Sequence, residues 1–311
     1  MLFLGSRYQL FSILLCLGLT TADPYNDTQA RDIMVYASAA YCPKGKVESW
    51  KMEGDCATRT SNFLDITSFE ATPPDVKYTR QYFGLMGVDY GRKWVVASFK
   101  GTNGSMADFA TDLSGGYFSS DCIIDSVNIG KVHAGFCNYY KYLDEAGFSQ
   151  SLVKLAAKHP DFPVIVTGHS LGAAAAMVAS VFLEIKYKLD VTIYTYGQPR
   201  VGDHNFSKTV SNYVKDSWRV VHAKDMIAHE PFCCAIFGEC HEISTCPYHT
   251  DHEVDAKRHC SYAHYYAQEY SVTLSPLVCV LSCRSGTRVA WLLGLPMSNV
   301  KALKTAIAIT G

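Results

Sequence analysis

The sequence predicts an α/β protein with a central, mostly parallel sheet and helices on both faces, and three observations carry that prediction. Short apolar and β-branched runs at residues 93–99, 163–167, 191–196 and 218–221 have the length and composition of buried strands. Between two of them lies a stretch rich in Ala, Met, Val and Leu, residues 173–185, which is helix-prone and long enough to pack on a sheet. Strands separated by helical stretches imply parallel pairing, because a parallel crossover needs a dozen or more residues and a helix fills it. The composition allows the core this requires: of 311 residues, 48% are hydrophobic and only 18% charged, which excludes a disordered or fibrous chain. One domain is expected rather than two, since single α/β domains commonly reach this length.

Taken in order, residues 1–7 carry one positive charge, Arg7, and no acid, and an apolar run over residues 10–19 follows. Thr20 and Ala22 then occupy the small-residue positions that a signal peptidase reads, before Asp23-Pro24. The run is well short of the roughly 20 residues that span a bilayer, so residues 1–22 read as a secretory signal rather than an anchor. The strand at 93–99 closes at Gly101, the strand at 163–167 closes at Gly168, and the helix at 173–185 follows Gly172. Between residues 232 and 260 periodicity disappears, Cys and His dominate and Pro247 punctuates, which reads as a disulfide-pinned loop region. Residues 289–297 are apolar but short and are followed by Lys301 and Lys304, so no transmembrane segment is expected. The sequence gives residues 284–311 no functional reading beyond a tail.

Lys+Arg 28 against Asp+Glu 29 leaves a net charge of -1, without the basic excess that neutralising phosphates requires, so nucleic acid is not an expected partner. Of 12 cysteines, Cys16 falls in the signal, and the odd remainder leaves one thiol over if the others pair in an oxidising compartment. Cys233, Cys234, Cys240, Cys246 and Cys260 are interleaved with His229, His241, His249, His252 and His259. Their spacings fit no paired zinc template, so disulfides are the reading and neither metal nor cofactor is expected. Sequons at Asn26, Asn103 and Asn205 agree with an exported, glycosylated surface.

The most specific signal is Gly168-His169-Ser170-Leu171-Gly172, set between an apolar strand and the Ala-rich helix. In that context Gly-x-Ser-x-Gly reads as a nucleophile elbow, a turn too tight for side chains at its flanks that leaves the serine exposed at a helix N-terminus. His169, inside the elbow, reads as a packing residue. A serine hydroxyl needs a histidine to take its proton and a carboxylate to orient that histidine. In such sheets the order is serine, acid, histidine. Asp225, just past the strand at 218–221, is the candidate acid, with Asp203 and Asp216 as alternatives.

From about residue 30 to about residue 270 the chain resembles the class 3, fungal-type lipases of the α/β-hydrolase superfamily. Tyr36-Ala37-Ser38-Ala39-Ala40-Tyr41-Cys42 is similar to that family's N-terminal helix, and Phe99-Lys100-Gly101-Thr102 to its oxyanion strand. Val132-His133-Ala134-Gly135-Phe136, Tyr196-Gly197-Gln198-Pro199-Arg200-Val201-Gly202 and Asp225-Met226-Ile227-Ala228-His229 resemble three further family segments in the same order. The resemblance implies Ser170 as nucleophile, Asp225 as catalytic acid, and Thr102 with Leu171 as oxyanion-hole donors. Each backbone donor aimed at a developing oxyanion is worth about 3 kcal/mol of barrier. His264 in Tyr262-Ala263-His264-Tyr265-Tyr266 has the right order for the base; His259 is the alternative, because His259-Cys260-Ser261-Tyr262 keeps the family's His-x-x-Tyr spacing.

The resemblance also implies that residues 104–118, with Gly104, Gly115 and Gly116 and apolar Met106, Phe109 and Leu113, form a lid over the serine. A cysteine that family members place two residues after Trp50 is Met52 here, which leaves Cys56 without its usual partner. Cys42 with Cys279 or Cys283, and Cys122 with Cys137 across a single loop, are the pairings considered. The implied protein is a monomeric, secreted triacylglycerol lipase with its catalytic domain at residues 23–283, acting on lipid or another ester at an interface. Phospholipase A1, a soluble or feruloyl esterase, and an inactive lipid- or carbohydrate-binding relative are the alternatives.

Overall fold

The computed structural model describes residues 25–51, 59–72, 81–102, 119–221, 227–229 and 270–271. Strands β1 (Phe63–Ala71), β2 (Tyr82–Asp89), β3 (Trp94–Phe99), β6 (Val164–His169), β7 (Val191–Tyr196), β8 (Asp216–Val221) and β9 (Tyr270–Ser271) form a seven-stranded sheet in the order β1-β2-β3-β6-β7-β8-β9. Pairing is antiparallel from β1 through β3 and parallel from β3 through β9, so the expected parallel sheet carries an antiparallel edge. Strands β4 (Ser119–Ile124) and β5 (Val127–His133) form a separate antiparallel hairpin. The helices are α1 (Asp27–Ala39), α2 (Lys44–Ser49), α3 (Ala134–Glu145), α4 (Phe148–Lys158), α5 (Leu171–Tyr187) and α6 (His204–Tyr213).

Side chains alternate along a strand, and here the alternation divides the core in two. Val95, Ala97 and Phe99 of β3, Val164 and Val166 of β6 and Ile193 of β7 face α3, α4 and α5. Val96, Ile165, Tyr194 and Tyr196 face the opposite way, onto Ile33, Tyr36, Ala37 and Ala40 in and just after α1. Both faces of the central strands are therefore covered, which is why they read in the sequence as continuous apolar runs. Helix α5 is buried without interruption from Gly172 to Leu183, and its alanines let it lie close on β6 and β7.

One element differs from expectation. Helix α1 begins at Asp27, capped by Asn26 Oδ1 accepting the Gln29 N–H at 3.0 Å, and ends at Ala39, so Tyr41 and Cys42 lie beyond it. The expected pairing of Cys122 with Cys137 is present and staples β4 to α3, with the two cysteines 5.7 Å apart at Cα. Cys42 is also disulfide-bonded, and Cys56, Cys279 and Cys283 lie outside the described residues. Among the described residues, no helix is long and apolar enough to cross a membrane.

Candidate active site

Strand β6 ends at His169 and helix α5 begins at Leu171, so Ser170 alone makes the turn. Its φ of 57° and ψ of −124° are rarely adopted by a residue with a side chain and cost about 1–3 kcal/mol. The surroundings hold it there. The Ser170 N–H donates to Tyr196 O at the end of β7 (2.9 Å), while Ser170 O accepts the N–H groups of Ala173 (2.9 Å) and Ala174 (3.2 Å) and starts the helix. The two flanking glycines are required by close approach. A β-carbon on Gly168 would overlap the carbonyl of Gly172, and one on Gly172 would overlap the carbonyl of Phe99. Strand β3, the elbow and the first turn of α5 thus touch through backbone.

The turn is as tight as the sequence suggests, but Ser170 is not exposed: its relative accessibility is 1%. Among the described residues its buried Oγ has no hydrogen-bond partner, and neither has the buried Thr102 Oγ1 on the segment that leaves β3. An unsatisfied buried polar group costs about 1–3 kcal/mol, and such groups in native structures call for an explanation, catalysis being one. The Leu171 N–H belongs to the first turn of α5, where no intrahelical acceptor exists and the helix dipole favours negative charge. His169 is 7% exposed, and its Nδ1 lies 2.8 Å from the Tyr41 hydroxyl, in line with a packing role.

Asp225 and His264 lie outside the described residues, as do His259, residues 104–118 and the cysteine–histidine region. In the sequence Asp225 falls in the connection between Val221, the last residue of β8, and the short 3-10 turn Ile227–His229. That connection is bounded by a feature the sequence reading missed. The buried Arg219 guanidinium donates to Gln198 O through Nε (3.2 Å) and Nη2 (2.8 Å), and Nη2 also donates to Ala228 O. One arginine therefore ties the exit of β7 to the turn after Asp225. A lone arginine inside an apolar strand pattern was its only sequence signal.

Residues 96–235 match the family model described as "Lipase (class 3)". Over these residues the chain is similar to the class 3 lipases. The matched segment includes Thr102, Ser170, Leu171 and Asp225 and stops short of His259 and His264. A lipase of Rhizopus oryzae is 33% identical over 181 residues, covering 55% of this chain and 45% of that protein. A "Secreted mono- and diacylglycerol lipase 1" of Fusarium solani is 30% identical over 146 residues, covering 47% and 42%. The chain spans less than half the length of these curated relatives. Among solved structures, lipase II from Rhizopus niveus is 29% identical with a TM-score of 0.54, covering 67% of this chain and 76% of that one.

Proposed function

We propose that this class 3 lipase homologue is a secreted serine carboxylester hydrolase acting on acylglycerols, in the manner of a triacylglycerol lipase, with residues 23–283 as its catalytic domain. Ser170 Oγ attacks the ester carbonyl carbon while His264 takes its proton, and Asp225 orients and stabilises the resulting imidazolium. His259 is the alternative base. The carbonyl oxygen becomes an oxyanion held by the N–H groups of Leu171 and Thr102, with the Thr102 hydroxyl able to add a third bond. The intermediate collapses, the alcohol leaves with the proton from His264, and water activated by the same histidine releases the fatty acid from Ser170.

The observation that carries this reading is the backbone of Ser170, held at φ 57° between β6 and α5 with its hydroxyl buried and, among the described residues, unpartnered. A nucleophile presented at a helix N-terminus uses that strained conformation. Secretion is supported by the Cys122–Cys137 disulfide and by the relative from Fusarium solani that is named as secreted.

The test is labelling with a fluorophosphonate followed by peptide mapping. Modification of Ser170 alone is expected; a label at another residue overturns the elbow assignment. Hydrolysis of emulsified triacylglycerol, phospholipid and feruloyl esters by the same preparation separates the lipase from phospholipase A1 and esterase. Absence of turnover on all three favours the binding relative.

A further inference from the structure

Tyr41 takes no part in the chemistry above, yet its hydroxyl lies where the two halves of the proposed oxyanion hole meet. It sits in the turn after α1, whose backbone is fixed by Tyr41 N–H to Ser38 O (3.1 Å) and Cys42 N–H to Ala39 O (2.9 Å). The hydroxyl is 2.8 Å from Nδ1 of His169, the residue before the nucleophile. It is also packed on Gly101, the residue before Thr102, so closely that a β-carbon there would overlap it. The same hydroxyl lies 3.5 Å from the carbonyl oxygen of His169, so it meets that residue through both side chain and backbone. Burial pushes the Tyr41 phenol far above its ordinary range, so the hydroxyl keeps its proton.

The other side of this segment is held as well. The carbonyl of Lys100 lies 2.7 Å from the hydroxyl of Tyr139, a buried residue of α3 that also reaches Phe83 O at 2.8 Å. The segment Lys100–Gly101 thus has one phenol packed on Gly101 from one face of the sheet and its Lys100 C=O accepting from a phenol on the other. The next peptide N–H along the chain is that of Thr102.

We propose that Tyr41 is a positioning residue that, by bridging Gly101 to His169, sets the separation and aim of the Thr102 and Leu171 N–H groups. The proposal rests on the functional reading of Ser170, Thr102 and Leu171 given above. Donors of this kind act only when aimed at the position the oxyanion will occupy, and displacements of about 1 Å cost about a hundredfold in rate. Tyr41 touches neither substrate nor reacting atoms, so its removal slows the chemical step and leaves ground-state binding in place.

The experiment compares wild type, Tyr41→Phe, His169→Asn and His169→Leu on a dissolved p-nitrophenyl ester, with kcat, KM and melting temperature measured for each. Tyr41→Phe is expected to lower kcat about tenfold to a hundredfold with KM changed less than about threefold. Asparagine at 169 keeps an acceptor near the Nδ1 position and should retain most of kcat, whereas leucine should fall as far as Tyr41→Phe. A wild type that hydrolyses no ester overturns the functional reading itself. An active wild type whose Tyr41→Phe variant keeps kcat within about twofold overturns only the role of Tyr41. A loss in which KM rises as much as kcat falls, tracking the melting temperature, marks a merely structural residue and overturns it too. If Tyr41→Phe fails to fold, the two His169 variants decide from the other side of the contact, and equal activities in them overturn the proposal.

Discussion

Gly172 lies so close against the carbonyl of Phe99 that a β-carbon at 172 would overlap it, so the end of strand β3 and the first turn of α5 meet there backbone to backbone. The contact joins the segment that leads to Thr102 with the first turn that carries Leu171. A methyl group there must push the helix away from the strand. Overpacking of this kind costs about 1–3 kcal/mol. Gly172→Ala should therefore lower the melting temperature by several degrees and depress kcat far more than that loss explains. A variant with normal turnover would show that the spacing of strand and helix is not critical.

Ser170→Ala is expected to abolish ester hydrolysis by several orders of magnitude and at the same time to leave the protein as stable as before or more so. The hydroxyl is buried with no partner among the described residues, so its removal relieves an unsatisfied polar group instead of breaking a bond. Thermal unfolding of the two proteins side by side checks this. A clear drop in melting temperature would show that the serine is held by an interaction in the native state.

For the base, His264→Ala should cost about as much as Ser170→Ala, since residues acting as a unit lose nearly everything with either member. His259→Ala should be much milder. Steady-state rates on a dissolved ester rank the two, and the reverse order assigns the base to His259.

Because Ser170 is 1% exposed, its cover must withdraw before an ester reaches it, and an oil–water interface offers apolar surface in exchange. Activity on emulsified triacylglycerol should rise disproportionately once substrate exceeds its solubility. Replacing Met106 and Phe109 by serine should depress that activity far more than activity on dissolved short-chain esters. Equal losses on both would favour the soluble esterase.

Asp144 gives a prediction about pH. Its half-buried carboxyl is pushed above the ordinary range by desolvation, although the Ser149 hydroxyl donates to it. A folded-state pKa above the unfolded one means that its contribution to stability is fully present below the unfolded pKa of about 3.9 and is lost as pH rises through the folded value. At pH 7 the ionised form is therefore a burden that a neutral isostere lacks. Asp144→Asn should raise the melting temperature near pH 7 and lose that advantage by about pH 3.5. An unchanged difference across this range would mean that the carboxyl is not desolvated.

The parallel strands were legible because both their faces are buried. Val164-Ile165-Val166 and Val191-Thr192-Ile193-Tyr194 pack on α5 on one side and α1 on the other, so they read as unbroken β-branched or aromatic runs. Strands β1 and β2 were not legible, for a physical reason in each case. Strand β1 is the sheet edge, with Leu64 55% exposed and no clean alternation. Strand β2 contains Gly84 and Gly87, which sequence reading takes as strand breakers, whereas the rings of Phe148 and Phe63 occupy the space their β-carbons would need. The turn between β4 and β5 uses Asp125 and Ser126 at φ 46° and 66°, a left-handed pair that carries no glycine to announce it. At the site, the elbow is a local motif and so was readable, but Tyr41 and Arg219 act through contacts made only when distant elements meet.

The Cys122–Cys137 bond has a consequence for how this protein must be made. Cys122 is wholly enclosed and Cys137 is 7% exposed, so in the finished molecule small thiols have almost no access to either sulfur. The same enclosure would bar an oxidant from a chain that had packed with both thiols reduced. Oxidation therefore belongs to the period before the β4–β5 hairpin settles on α3. Yield from a host will depend on whether its synthesis compartment is oxidising at that moment, and adding oxidant to purified, already compact protein will not recover what was missed.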